Sequence, residues 1–344
     1  MAKPSLTEKL SRDITRAVLE HPHDLTRFIA AKEGITRAAA ARYVLALEKL
    51  GWIVRAGSST RPVFSLGLRR SVSQAYSLKA LEEDLIWMQD FVPYLELTPN
   101  VANIAAHGFT EMVNNAVDHS MGTSVQIVVT QTPKSLSMTI TDDGVGIFDK
   151  IQEAFNLADK RQALFELSKG KLTTAPDQHS GEGVFFTSKM FDEFAISANG
   201  LHFGQDADSS LDTLPKNPSD LETGTRVFMS VALDSQLTTS QVFQQFMNAP
   251  EDFDFSKTLV PMKLARLGQE QLISRSQAKR LVARFDRFKT VTLDFEGIEE
   301  IGQAFADELF RVYRLTHPNV ELEPIHMTRQ VEQMWLRAVA PRLP

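Results

Sequence analysis

The sequence predicts a multidomain protein with three parts: a helical head that ends in a β-hairpin, an α/β middle domain and a small α/β domain at the carboxyl end. A domain usually has roughly 100 to 200 residues, so a chain of 344 residues is long enough for two or three. Apolar residues recur at helical spacing in the head and alternate as in strands farther on. The first 70 residues carry 13 Lys and Arg against 6 Asp and Glu, whereas the rest carry 24 against 37. We place the domains at 1–70, 76–235 and 254–340.

Composition restricts the chemistry. The chain has no cysteine, which excludes disulfides, thiolate metal sites and thiol nucleophiles and fits a reducing compartment. Residues 1–10 lack the apolar core of a signal peptide, and no apolar run approaches the roughly 20 residues that span a bilayer. We therefore expect a soluble, cytoplasmic protein with no membrane contact.

The head shows three helical segments followed by two short strands. The helices are predicted at 5–20, 24–33 and 36–50, because Asp24 and Thr36 are capping residues and Gly34 and Gly51 end helices. The strands 52–55 and 62–66 flank a Gly-Ser-Ser-Thr tip and read as a hairpin. Three helices and a hairpin describe a winged helix-turn-helix. Its positive charge favours double-stranded DNA as the partner, although winged helices also bind proteins.

Residues 34–43 resemble the turn and recognition helix of bacterial winged-helix regulators. That resemblance implies that the early residues of the third helix lie against major-groove base edges, and that residues of the hairpin contact phosphates or the minor groove. The candidates for DNA contact are Thr36, Arg37, Ala40 and Arg42 on the helix and Arg55 and Arg61 on the wing.

The middle domain follows a short polar segment, 67–74, which reads as a linker. Two alternating segments, 124–130 and 136–140, predict antiparallel strands, and Asn199-Gly200 predicts a hairpin turn between 194–197 and 201–203. Residues 205–222 read as a polar loop. Helices are predicted at 76–91, 101–119, 149–171 and 183–190, and a closing strand at 225–233.

Three short motifs of this domain carry chemistry. Glu111 and Asn115 stand four residues apart on a helix and project from one face. An amide oxygen is a hard ligand suited to Mg²⁺, and a carboxylate beside it could orient or deprotonate a water. The alternative is a polar pair on a solvated helix face.

The other two motifs are rich in glycine. Asp142, Gly144 and Gly146 follow a strand, where glycines permit close backbone approach and a half-buried carboxylate can accept from an amino group such as adenine N6. Gly181 and Gly183 open a helix whose N-terminal amides favour phosphate. The P-loop pattern of a glycine, four residues and Gly-Lys-Ser or Gly-Lys-Thr is absent.

In this order the three motifs resemble the Bergerat-fold ATP site of the GHKL superfamily, over residues 78–233. The resemblance implies ATP with Mg²⁺ as ligand, Glu111 as the residue that activates water, Asn115 on the metal, Asp142 on adenine, and 149–178 as a lid over the phosphates. It also implies supporting roles for Gly144, Gly146, Gly181, Gly183, Thr225 and the basic residues His119, Lys169 and Lys171. For these three, helix-end or solvated side chains are the alternative. The histidine context of a dimerising histidine kinase is missing.

The carboxyl-terminal segment alternates helices and strands. We predict a helix of 240–247, a helix from a Ser274 cap to about 288, strands 291–295 and 320–325, and helices 302–314 and 328–338, with a largely parallel sheet. Residues 291–309 resemble STAS domains, most closely a STAS-like domain of unknown function. In phosphorylated STAS proteins a serine begins the helix after that strand, whereas Gly302, Gln303 and Ala304 occupy the place here. Ser274 and Ser276 are better explained as helix-start residues.

These inferences combine into a winged helix, a two-layer α/β Bergerat ATP-binding sandwich and a small α/β STAS-like domain. We expect an ATP-binding regulatory protein, a slow Mg-dependent ATPase whose nucleotide state controls DNA binding or the association of subunits, as in a homodimer. One alternative is a protein kinase that acts on a separate partner docked on the STAS-like domain. Another is an ATP-gated sensor whose head binds protein.

Overall fold

The computed structural model describes residues 6–58, 60–173, 180–206, 223–247, 255–266 and 270–340. The chain forms two compact units. The first comprises Met1–Val145, Phe191–Ile196 and Thr223–Gln236, and the second Gly146–Met190, Ser197–Glu222 and Leu237–Pro344. Within the described ranges, no helix combines the length and apolarity that crossing a membrane would require.

The first unit opens with three helices and a two-stranded antiparallel hairpin: α1 Leu6–Glu20, α2 Leu25–Glu33, α3 Arg37–Lys49, β1 Ile53–Gly57 and β2 Pro62–Leu66. These elements confirm the predicted helices and hairpin. Gly34 ends α2 with a φ of 64°, a left-handed conformation that glycine adopts without strain, and the Thr36 hydroxyl caps α3 by accepting from Ala39 N. Ile14, Leu25, Leu47 and Phe64 belong to the core that the three helices and the hairpin share.

The predicted linker 67–74 is wrong from Arg70 onward. Strand β3, Arg70–Ser77, pairs antiparallel along its whole length with β4, Ser124–Gln131. Helix α1 covers it, because Thr15 Oγ1 accepts a hydrogen bond of 2.8 Å from the buried Ser71 backbone N–H. A polar edge strand has the composition of a linker, so only its pairing distinguishes the two.

The predicted helix 76–91 is also shorter than expected. The chain forms α4, Glu83–Ile86, then a π-helical turn, Trp87–Phe91, and a 3₁₀ turn, Val92–Tyr94. Trp87 and Phe91 are buried and their rings pack against Phe109 at a tilt, so the apolar residues that suggested a long helix form a compact aromatic cluster instead.

A six-stranded sheet in the order β3-β4-β5-β8-β6-β7 follows. Helix α5 contributes Ile104, Ala105 and Phe109 to the core, each with no exposed surface, and the predicted Asn199-Gly200 turn is present with φ values of 53° and 72°. The elements of this region are α5 Pro99–His119, β4 Ser124–Gln131, β5 Ser135–Asp142, α6 Ile147–Ala154, α7 Arg161–Lys169, α8 Gly183–Met190, β6 Glu193–Ala198, β7 Leu201–Asp206 and β8 Thr225–Ala232. Nearly all of the predicted loop 205–222 lies outside the described residues.

The carboxyl-terminal part of the second unit is a small α/β fold around three parallel strands in the order β11-β10-β9, which confirms the predicted parallel sheet. Its elements are α9 Thr239–Gln245, β9 Lys257–Pro261, α10 Arg275–Leu281, β10 Thr290–Asp294, α11 Gln303–Ala306, α12 Arg314–Thr316, β11 Glu321–Ile325 and α13 Arg329–Val339. A π-helical turn, Asp307–Tyr313, joins α11 to α12.

Two features of this fold differ from the sequence prediction. The sequence predicts no strand at the position of β9, because its five residues follow directly on a polar loop. Helix α10 ends at Leu281 rather than near Phe288, since Arg284 adopts a left-handed conformation with a φ of 66° that no α-helix can contain. Ser274 caps α10 as predicted, through a capping box with Gln277.

Candidate functional site

Helix α5 carries the first group of predicted site residues on its last three turns. Glu111, Asn115 and His119 lie at four-residue spacing and are partly exposed, while Met112 and Ala116 on the other face are buried. The Asn115 amide nitrogen approaches Met112 Sδ at 3.9 Å, so its oxygen is the atom that could bind a cation. The neighbouring Asn114 donates a hydrogen bond of 3.2 Å from its Nδ2 to Glu83 Oε1.

Asp142 ends strand β5 and is only 8% exposed. Its Oδ1 accepts the backbone N–H of Gly144 at 2.9 Å and of Thr225 at 3.2 Å. Burial raises the pKa of this carboxyl, and the two N–H bonds oppose the rise in part. The structure thus brings together three predicted residues, Asp142, Gly144 and Thr225, although Thr225 follows Asp142 by more than 80 positions.

Two glycines make this arrangement possible. A Cβ on Gly144 would lie 2.0 Å from the Ser120 carbonyl oxygen, and one on Gly224 would lie 2.2 Å from the Asp142 carbonyl oxygen. The Gly224 N–H donates to the Gly144 carbonyl at 2.7 Å. The ends of α5 and β5 and the start of β8 therefore meet at backbone distance around Asp142, which only glycine permits.

Asp143 is a residue whose role the sequence analysis missed. Its carboxylate accepts four hydrogen bonds of 2.7–2.9 Å, from the backbone N–H and the hydroxyl of both Thr123 and Ser124. These bonds hold its pKa well below the usual range. Asp143 ties the loop after α5 to the end of β5, and the adjacent Asp142 masked this function in the sequence.

In the second unit, Gly146 begins α6 with a φ of 88°. A Cβ here would lie 2.3 Å from Asn199 Oδ1, and the Asn199 amide both accepts from Asp149 N and donates to the Asp149 carboxylate. Lys160 adds an ion pair to Asp149 at 3.3 Å. The sequence predicts only a hairpin turn at Asn199, yet its side chain also fixes the start of α6.

Gly181 and Gly183 precede and begin helix α8. Gly181 has a φ of 72°, and its carbonyl accepts the Leu172 N–H at 3.1 Å. A Cβ on Gly181 would lie 2.5 Å from the Leu172 carbonyl carbon. The end of the predicted lid and the second glycine motif are therefore in backbone contact, and residues 174–179 between them lie outside the described residues.

The expected phosphate contact of Lys169 is contradicted. Its side chain has no exposed surface, and its Nζ donates to Glu166 Oε1 at 2.6 Å and to the Ala283 carbonyl at 2.9 Å. A buried ammonium that has lost its hydration needs such partners, so it is committed to them. Lys171 donates to the Arg287 carbonyl at 3.3 Å and lies over the Phe255 and Phe288 rings.

In the head, the expected DNA contact of Ala40 is wrong, because Ala40 has no exposed surface and packs in the core. Thr36 is exposed but its hydroxyl caps α3. Four of the predicted basic residues are exposed: Arg37 and Arg42 on α3, and Arg55 and Arg61 on the hairpin.

Comparison with family models identifies two regions. Residues 85–202 match the histidine kinase-like ATPase domain, and residues 277–332 match a STAS-like domain of unknown function. No curated protein matches the chain. The chain therefore contains a histidine kinase-like ATPase domain and a STAS-like domain. Thr225 lies outside the matched ATPase region. Its association with Asp142 is shown by the hydrogen bond from the Thr225 N–H to Asp142 Oδ1.

Proposed function

We propose that this chain is an ATP-binding regulatory protein whose nucleotide state controls DNA binding through the head. The observation that carries the ATP proposal is Asp142: a carboxylate buried at a strand end, held by two backbone amides and flanked by glycines that leave no room for side chains. A carboxylate so placed is suited to accept from the exocyclic amino group of adenine. It lies in the matched ATPase domain.

The residues of α5 suit a magnesium nucleotide. Bound Mg²⁺ neutralises phosphate charge and takes few ligands from protein, and the Asn115 amide oxygen is one hard ligand of the required kind. Glu111, one turn earlier, would orient a water toward the terminal phosphate and accept its proton. We propose Gly144 and Gly146 for the adenine side, Gly181 and Gly183 for the phosphates, and His119 and Lys171 as further contacts. Hydrolysis at this site would be slow and would reset the regulator.

Calorimetry with Mg·ATP tests the site. We expect Asp142→Asn and Asn115→Ala to abolish detectable binding, because each removes a direct interaction with the ligand. Asn114→Ala is the matched control: it makes the same change one residue away, at an amide bonded to Glu83. Binding that survives in both site variants, or that disappears equally in the control, would refute this location.

The head supports the DNA proposal by its charge and exposure. It carries the excess of Lys and Arg, and its four exposed arginines lie on α3 and on the hairpin. We propose a winged helix-turn-helix in which Arg37 and Arg42 meet DNA from the helix, and Arg55 and Arg61 from the wing. Thr36 would contribute by fixing the start of α3.

Binding to duplex DNA at several salt concentrations, with and without Mg·ATP, tests this proposal. Removing one side chain that binds a phosphate should reduce the slope of log K against log salt by about 1, so Arg55→Gln and Arg61→Gln, on the wing that is proposed to contact phosphates, should each flatten it. Arg280→Gln, an exposed arginine of α10, serves as the control. No binding at low salt, or affinity indifferent to nucleotide, would exclude a nucleotide-controlled DNA-binding protein.

A further inference from the structure

A buried charge cluster in the second unit joins the predicted lid to the STAS-like domain. Glu166 and Lys169 lie on α7, in the lid, and Arg284 follows α10, inside the matched STAS-like region. Glu166 binds Lys169 through Oε1 at 2.6 Å and Arg284 through Oε2 at 2.8 Å. The exposed fraction of the side chain is 8% for Glu166, 0% for Lys169 and 12% for Arg284. We call this cluster the lid clamp.

Arg284 also caps the end of α7. Its Nη1 donates to the Glu166 carbonyl, in the last turn of α7, at 3.5 Å, and its Nη2 donates to the carbonyls of Gly170 at 2.9 Å and Lys171 at 2.6 Å, which follow the helix. The last carbonyls of a helix lack partners within it and carry the negative end of its dipole, so a guanidinium is a suitable cap. Thr258 of β9 adds a 2.6 Å bond to the Lys169 carbonyl. Arg284 holds a left-handed φ of 66° to reach this position. Such strain persists only where surrounding contacts maintain it.

A second contact set holds helix α8 to the same part of the chain. Phe185 and Phe186 lie on α8, and the centroids of their rings are 4.6 Å and 4.8 Å from the centroid of the Phe255 ring. Phe255 continues the cluster to Phe288 at 5.4 Å. A Cβ on Gly170 would lie 2.8 Å from the Phe255 ring, so the end of α7 is pressed against this cluster.

These contacts converge on the second glycine motif. Arg284 donates a hydrogen bond to the Lys171 carbonyl. The next residue, Leu172, donates its N–H to the carbonyl of Gly181, at the start of the proposed phosphate-binding segment. We infer that the STAS-like domain positions the phosphate-binding segment of the nucleotide site, with Arg284 as the positioning residue that acts through the end of α7 and Leu172. This inference rests on the proposed ATP site.

The mechanism is preorganisation. A loop that is already ordered loses less conformational entropy when a ligand binds, so its ordering strengthens binding without any new contact to the ligand. The effect must be confined to the ligand group that the loop touches. The clamp should therefore affect the triphosphate and leave the recognition of adenosine unchanged.

The test compares Arg284→Gln with Arg284→Lys and with Arg280→Gln, in the full chain. Arg280 is an exposed arginine on the preceding helix and serves as the matched control. Without nucleotide, we expect backbone amides of residues 162–172 to exchange about tenfold faster in Arg284→Gln, because this variant removes both a buried partner of Glu166 and the α7 cap. Arg284→Lys keeps the charge but not the paired donors, so it should rescue part of the protection.

With nucleotide, calorimetry should show affinity for Mg·ATP about tenfold weaker in Arg284→Gln and adenosine affinity within twofold of wild type. Equal weakening for both ligands would mean general misfolding, and unchanged ATP affinity in a folded variant would mean no positioning role; either result overturns the inference. If the wild type binds no ATP, the proposed function fails. Amide exchange then still decides whether Arg284 orders the lid, and equal exchange rates refute it.

Discussion

Asp142 and Asp143 are neighbours with the same side chain and opposite electrostatic situations. Burial raises the pKa of Asp142, whereas four hydrogen bonds lower that of Asp143. The folded state therefore disfavours the charge of Asp142 and stabilises that of Asp143. The proposed ligand contact of Asp142 therefore lowers the stability of the folded protein, because burial disfavours the charged carboxylate that the contact requires.

Asp142→Asn should raise the stability of the protein while it removes ATP binding. The Asn Oδ1 can still accept from Gly144 and Thr225, and no buried charge remains, so we expect a gain of about 1 kcal/mol at pH 7. A raised folded pKa costs stability as pH rises above the unfolded value, so the gain should vanish below about pH 4. Thermal unfolding at pH 3.5 and 7 checks this. A lower melting temperature at pH 7 would contradict it.

Asp143→Asn should behave in the opposite way. A lowered folded pKa contributes stability that is present above the unfolded value, near 4, and is lost as pH falls through the folded one. The variant should therefore melt at a lower temperature than the wild type at pH 7, and the difference should shrink below pH 4. The same melting series measures both variants. Equal melting temperatures at pH 7 would show that the four bonds to Thr123 and Ser124 do not stabilise the loop.

At the level of elements, strand β3 couples the head to the sheet. Helix α1 lies on β3, and Thr15, which is 1% exposed, supplies an acceptor for the Ser71 N–H. Arg16 adds a bond to Gln74 at 3.0 Å. A head that is joined through a strand of the sheet itself is restrained more strongly than one on a flexible linker.

Replacing Thr15 by Val should weaken this junction. The variant keeps the shape but removes the hydroxyl acceptor of a buried N–H, which costs about 1–3 kcal/mol. Thr15→Ser retains the hydroxyl and serves as the control. Denaturant unfolding measures the free energy of unfolding, and amide exchange at Ser71 locates the destabilised site. A Val variant as stable as the Ser variant would show that the bond contributes nothing.

For the whole molecule, regulation requires that ATP and DNA influence each other's binding. If Mg·ATP changes the DNA affinity by some factor, then DNA must change the ATP affinity by the same factor, because the coupling free energy belongs to the pair of sites. Couplings of this kind are typically about 5- to 150-fold. ATP titrations with and without a saturating duplex give this factor directly. An ATP affinity that a saturating duplex leaves unchanged would show that the two sites are not coupled and would contradict the regulatory proposal.

The local elements of the chain follow from short stretches of its sequence. Caps such as Thr36 and Ser274, terminators such as Gly34, and the Asn199-Gly200 turn act within a few residues, so helix starts and hairpins could be predicted from their neighbours. The same holds for the order of the ATPase motifs, which lie in the region that matches the ATPase family.

Which residues are buried, and with whom they pair, depends on the tertiary structure. Strand β3 has the composition of a linker, and only its pairing with β4 identifies it as a strand. Ala40 is a predicted DNA contact, yet the packing of the head buries it completely. Lys169 reads as a solvated lid lysine, yet its ammonium binds a carbonyl 114 residues away. A buried charge is stable only beside a partner that compensates its lost hydration, and where that partner comes from distant sequence, no local pattern reveals it.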